Sequence, residues 1–100
     1  MSELKIGIIV GSIREKSESG RIGHYIKGLL EEFDSPVSVE YFALRDLEVP
    51  LWHEGKWKSG SDIKAFWKPI SDRLKACDGF VVICPEWAGM APPHLKNFLL

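Results

Sequence analysis

The chain has 100 residues, 45% of them hydrophobic with four Trp and five Phe, enough for about one small domain that buries roughly two thirds of its unfolded surface. Lys and Arg (13) balance Asp and Glu (14) for a formal net charge of -1, with no basic block, which argues against a nucleic-acid footprint. No apolar run approaches the length of a membrane span, and Met1-Ser2-Glu3-Leu4-Lys5 lacks a signal peptide's order of basic, apolar and small residues, so the expectation is a soluble cytoplasmic protein with no membrane or nucleic-acid partner.

Leu4–Val10 is a nearly continuous apolar run, the pattern of a parallel strand covered on both faces. A Gly/Ser-rich turn follows. Ile22, Tyr25, Ile26, Leu29, Leu30 and Phe33 then recur at helical spacing, a predicted amphipathic helix stopped by Asp34-Ser35-Pro36. Val37–Phe42 alternates apolar and polar residues, as an edge strand does. Residues 43–60 form a long connection with Pro50, Trp52, His53 and Trp57, and a loop of that length is usually functional or interfacial.

Ser61 or Asp62 caps the next predicted helix, which presents Ile63, Phe66, Trp67, Ile70 and Leu74 on one face. Pro69 interrupts it, predicting either a kink or two short pieces with Pro69 opening the second. Cys77-Asp78-Gly79 ends this helix, and Phe80–Cys84 is a buried strand. A last helix begins near Pro92-Pro93 and reaches Leu100 with no visible stop.

The order β-α-β-α-β predicts an α/β fold, an open parallel sheet with helices on both faces. If the sheet is flavodoxin-like, its strand order is 2-1-3, with strands 4 and 5 expected beyond Leu100. Residues 1–100 are then expected to form a single flavodoxin-like domain, as its N-terminal part. In such sheets ligands bind outside the carboxyl ends of the strands where strand order reverses, so the stretches after the first and third strands meet at one site.

The first of these, Gly11-Ser12-Ile13-Arg14-Glu15-Lys16-Ser17-Glu18-Ser19-Gly20, has the chemistry of a phosphate cradle. Small residues let backbone N–H groups converge, Ser12, Ser17 and Ser19 add hydroxyls, and the helix N-terminus adds partial positive charge. Arg14 supplies a charge-assisted bond of about 1.5–3 kcal/mol, against about 0.3–1 kcal/mol for the dipole; Arg21 is a weaker candidate. The same residues also suit a helix-capping turn that binds nothing. A dinucleotide fingerprint and a Walker loop are both absent, since Gly11 is followed by Ser12-Ile13 and no Gly-Lys-Ser/Thr occurs. A Cys-x5-Arg phosphatase loop fails at Met90, and no acidic pair ends the first strand.

Taken together, Gly11-Ser12-x-Arg14-x-x-Ser17, Pro50-Leu51, Ala76-Cys77-Asp78-Gly79, Pro85-Glu86-Trp87 and Leu95-Lys96-Asn97 resemble the NAD(P)H-dependent FMN reductases of flavodoxin-like fold. The resemblance implies an oxidoreductase that passes reducing equivalents from NAD(P)H through FMN to a small-molecule acceptor such as a quinone, flavin, azo compound or metal oxyanion. It further implies that Ser12, Arg14, Ser17 and Ser19 hold the FMN phosphate, and that Pro85, Glu86, Trp87 and Gly89 border the flavin ring through backbone groups. No side-chain acid or base is required, so no catalytic residue is expected. A homodimer or homotetramer is implied. The family's second motif resembles Pro-Glu-Tyr-Asn-x-Ser, where this chain has Trp87, Ala88 and Met90; two hydrogen-bonding side chains are lost. Those departures favour the alternative, a flavodoxin-like binding module with altered or lost flavin chemistry.

Other conspicuous residues read more plainly. Trp52 and Trp57 suit packing or a dimer contact, and His53 beside Glu54 suits an exposed pair. His24 has no metal-ligand partner at useful spacing, so no metal site is expected. Cys77 and Cys84 read as reduced thiols packed as small hydrophobes.

Overall fold

A computed structural model describes residues 4–33, 37–54, 58 and 60–100. Three strands, β1 (Leu4–Val10), β2 (Val37–Ala43) and β3 (Gly79–Ile83), form a parallel sheet in the order β2-β1-β3. β1 is central, with Ile8 opposite Tyr41 on one side and Val81 on the other. The helices are α1 (Glu18–Glu31), α2 (Leu44–Leu47), α3 (Asp62–Lys75) and α4 (Pro93–Leu99). The order 2-1-3 with helices on both faces is the flavodoxin-like arrangement read from the sequence.

The pleat of β1 sets the two layers. Val10 points toward α1, where it meets Gly23. Ile9 points the other way into the buried cluster of Phe42, Leu44, Trp67, Ile70, Leu95 and Phe98 contributed by β2, α2, α3 and α4. Successive side chains on a strand face opposite ways, so a strand with cover on both sides reads as one apolar run. Asp78 fixes the start of β3 against β1: its N–H donates to the Lys5 carbonyl at 2.7 Å, and its carboxylate accepts from the Lys5 N–H at 2.8 Å. At the far end the Gly11 N–H donates to the Ile83 carbonyl at 2.9 Å, which holds the start of the first turn beside the end of β3.

Several expectations change. Residues 43–60 are not wholly loop, because Leu44–Leu47 forms α2, which buries Leu44. Pro69 does not divide its helix: α3 is one 14-residue element, capped by the Ser61 hydroxyl accepting from the Lys64 N–H. Burial of Trp67 and Ile70 on either side of the proline offsets the lost backbone bond. Asp34-Ser35-Pro36 and Trp57 lie outside the described residues, while α1 itself ends at Glu31.

The predicted apolar face of α1 is only partly covered. Ile22, Tyr25, Leu29 and Phe33 are exposed, whereas Gly23 is buried and Ile26 and Leu30 are half-buried. A Cβ on Gly23 would sit 2.7 Å from Tyr41 Oη and 2.8 Å from Val10 Cγ2. The helix therefore approaches the sheet along its glycine, and this turns its bulkiest side chains outward.

β3 also departs from its prediction as a buried strand. It lies at an edge of the described sheet, with Phe80 and Val82 exposed on the face opposite α1, and Cys84 beyond its end is exposed. Its apolar pattern is that of an interior strand, but β1 is its neighbour on one side alone.

Candidate functional site

The turn after β1 is built by its own serines. Ser12 is 4% exposed, and its Oγ accepts from the Arg14 N–H at 3.2 Å. Ser17 caps α1, its Oγ accepting from the Gly20 N–H at 2.9 Å. A hydroxyl has one donor and two acceptor sites. Both serines use the acceptor role to fold the turn, which leaves each O–H proton to donate to a ligand.

Backbone donors converge at the same place. Among the described residues the N–H groups of Glu18 and Ser19, in the first turn of α1, have no partner. Those are the orphan donors of a helix start, where an anion also gains from the helix dipole. Arg14 and Lys16 are exposed and form no ion pair among the described residues. Arg21, by contrast, is bound to Glu18 at 2.9 Å.

Beside this turn lies a cavity of about 620 Å³. Its lining includes Ser12, Arg14, Glu15, Lys16, Ser17 and Glu18 from the turn and the start of α1, and Tyr41, Ala43, Arg45 and Asp46 from β2 and α2. His24 stacks on Tyr41 with ring centroids 4.7 Å apart and planes 13° from parallel, and the Tyr41 hydroxyl donates to the Gly20 carbonyl at 3.3 Å. Burial raises the Tyr41 phenol's pKa, and the nearby Asp46 carboxylate adds to that. Of the expected phosphate residues, Ser12, Arg14 and Ser17 line the cavity. The Ser19 side chain is not in its lining.

The stretch after β3 is a separate device. Trp87 and Met90 exchange backbone hydrogen bonds, 2.8 and 3.0 Å, around Ala88 (φ 50°) and Gly89 (φ 79°). Two central residues with positive φ make a type I′ turn, which prefers Asn-Gly. The Gly89 N–H donates to the Glu86 carboxylate at 2.5 Å. Trp87, Gly89 and Met90 thus spend their N–H groups within the turn, while those of Glu86 and Ala88 have no partner among the described residues. Pro85, Glu86, Trp87 and Gly89 lie outside the lining of the large cavity.

Asn97 of α4 ties down the long connection. Its Nδ2 donates to the Pro50 carbonyl at 2.7 Å, and its Oδ1 accepts from the Trp52 N–H at 2.5 Å. Pro50-Leu51 and Leu95-Lys96-Asn97, far apart in sequence, thus meet in the fold.

Lys16, His24, Tyr41, Arg45 and Asp46 were not among the expected site residues. The signal for Arg45 was its place two residues past the end of β2, on the ligand-bearing side of a parallel sheet.

The turn suits a phosphate monoester: two hydroxyl donors, free helix N–H groups and two unpaired cations match its charge and its acceptor oxygens. Among the described residues no cluster of three or more His, Cys, Asp or Glu is placed to hold a metal, and no helix is long and apolar enough to cross a membrane.

Comparison with known proteins bears on the family. The NAD(P)H-dependent FMN reductase LOT6 of Saccharomyces cerevisiae is 26% identical over 108 aligned positions, covering 94% of this chain and 55% of that protein. The chain thus spans about half the length of the curated relative it matches. Residues 4–100 match the profile of the NADPH-dependent FMN reductases, and the chain belongs to that family.

Proposed function

We propose that this chain contributes the FMN phosphate site of an NAD(P)H-dependent oxidoreductase. The observation that carries the reading is the turn itself, where Ser12 and Ser17 keep their hydroxyl protons free beside the unpaired Arg14 and Lys16. Ser12, Ser17, the Ser19 backbone and Arg14 hold the phosphate, and Pro85, Glu86, Trp87 and Gly89 border the ring, with the Glu86 and Ala88 N–H groups as the donors left to it. Bound FMN supplies hydride acceptance and onward electron transfer. The protein's part is position, charge compensation and the ring's surroundings.

The second substrate in this reading is a small acceptor such as a quinone, a flavin, an azo compound or a metal oxyanion, in a cytoplasmic homodimer or homotetramer. Residues 1–100 act as one flavodoxin-like unit. The exposed apolar side chains of α1 and β3 support cover by further polypeptide, whether from the same chain or a second copy.

Equilibrium titration with FMN, followed by flavin fluorescence, tests the reading, together with NAD(P)H oxidation by the loaded protein. Saturable binding with turnover supports it. Saturable binding without turnover favours a binding module, the reading to which the internally satisfied turn at Trp87–Met90 lends weight. Absence of FMN binding defeats the oxidoreductase reading.

A further inference from the structure

The 620 Å³ cavity is larger than one phosphoryl group requires and lies in the range of whole small-molecule sites, about 300–1,000 Å³. It also extends the wrong way for a flavin ring. The ring belongs at the junction of β1 and β3, where strand order reverses. The cavity instead spreads from the turn toward β2, to Tyr41, Ala43 and Arg45.

Arg45 is the cation on that side. Its ion pairs are loose, 3.8 Å to Glu15 and 3.5 Å to Asp46, and its side chain is 45% exposed. No hydrogen bond to its guanidinium is formed among the described residues, so the planar fork of donors that suits phosphate oxygens is available. Next to it His24 and Tyr41, stacked on one another, also line the cavity. Aromatic rings beside a guanidinium held only by two long ion pairs fit a purine nucleotide that carries a phosphate of its own.

Resting on the reading above, we propose that Arg45 binds the adenosine 2′-phosphate of NADPH and so selects NADPH over NADH. With the nicotinamide at the flavin, the rest of the dinucleotide leaves the β1/β3 crevice. β2 lies two strand spacings from β3, about 10 Å, a distance a dinucleotide spans. Arg14 and Lys16 compensate the FMN phosphate, while Arg45 exchanges Glu15 and Asp46 for the second anion.

The test measures binding of adenosine 2′,5′-bisphosphate and of 5′-AMP by calorimetry, with and without added FMN, to the wild type, Arg45→Ala and Arg45→Lys. The expected result is that the wild type prefers the bisphosphate by about ten- to hundred-fold, the worth of one charge-assisted bond. Arg45→Ala loses that preference and Arg45→Lys keeps part of it. For FMN-loaded protein, the ratio of kcat/KM for NADPH over NADH falls in Arg45→Ala by the same factor. A wild type with no preference, or a preference undiminished in Arg45→Ala, overturns the proposal. Failure to bind FMN overturns the flavin reading instead and leaves the nucleotide comparison readable.

Discussion

The carboxylate of Glu86 accepts a hydrogen bond from the N–H of Gly89, closing from outside the turn that Trp87 and Met90 close from within. The central residue Ala88 is held at φ 50°, a left-handed conformation that costs a residue with a Cβ about 1–2 kcal/mol and that Asn tolerates better. The asparagine expected at this place has a backbone purpose as well as a side-chain one. Ala88→Asn is therefore expected to stabilise the protein by about 1 kcal/mol, read as a higher denaturation midpoint. A lower midpoint, with the fold retained, would show that the turn does not have this geometry in solution.

Arg14 carries the charge of the phosphate turn. Arg14→Ala is expected to weaken FMN binding by about 1.5–3 kcal/mol, roughly ten- to hundred-fold in Kd, with much less effect on riboflavin, which lacks the phosphate. Equal losses for the two ligands, compared by fluorescence titration, would remove Arg14 from the phosphate site.

Gly23 sets the distance between α1 and the sheet. Alanine there gains about 0.5–1 kcal/mol of helix propensity, but its Cβ meets Tyr41 Oη and Val10 Cγ2 at under 3 Å, and overpacking of this kind costs about 1–3 kcal/mol. Gly23→Ala is expected to be destabilising overall and, by displacing Tyr41, to weaken adenine-nucleotide binding. Thermal melts and titration check both effects. A stabilised variant would mean that the helix is not held this close.

The two thiols should separate by reactivity. Cys84 is exposed, whereas Cys77 is partly buried and its Sγ–H donates to the Arg73 carbonyl at 3.4 Å. Burial, then the Glu40 carboxylate, pushes the Cys77 pKa up against the smaller opposing pull of Lys5 and Arg73. A thiol whose pKa is raised on folding contributes stability that is fully present below its unfolded pKa of about 8.5 and is lost as pH rises through the folded value. Iodoacetamide should modify Cys84 first, and Cys77→Ala should flatten the decline in stability above about pH 8.5. An equal or faster reaction at Cys77 would contradict its burial.

The local elements were legible because local rules produce them. The apolar run Leu4–Val10 became β1 with those bounds, Ser61 became a cap, and Pro92-Pro93 opened α4. The turn Gly11–Gly20 declared its chemistry because hydroxyl, cation and helix start lie within ten residues of one another. What the sequence left open was every relation that depends on which element lies against which. Periodicity marked an apolar stripe on α1 but not the close approach through Gly23 that turns Ile22 and Tyr25 outward. Composition marked β3 as interior, although exposure also depends on neighbours, and β3 has one neighbouring strand among the described residues. Arg45 and Tyr41 join Ser12 and Arg14 at one cavity only because parallel pairing of β1 with β2 brings the carboxyl ends of both strands to the same side. Strand pairing acts across tens of residues, and no local pattern encodes it.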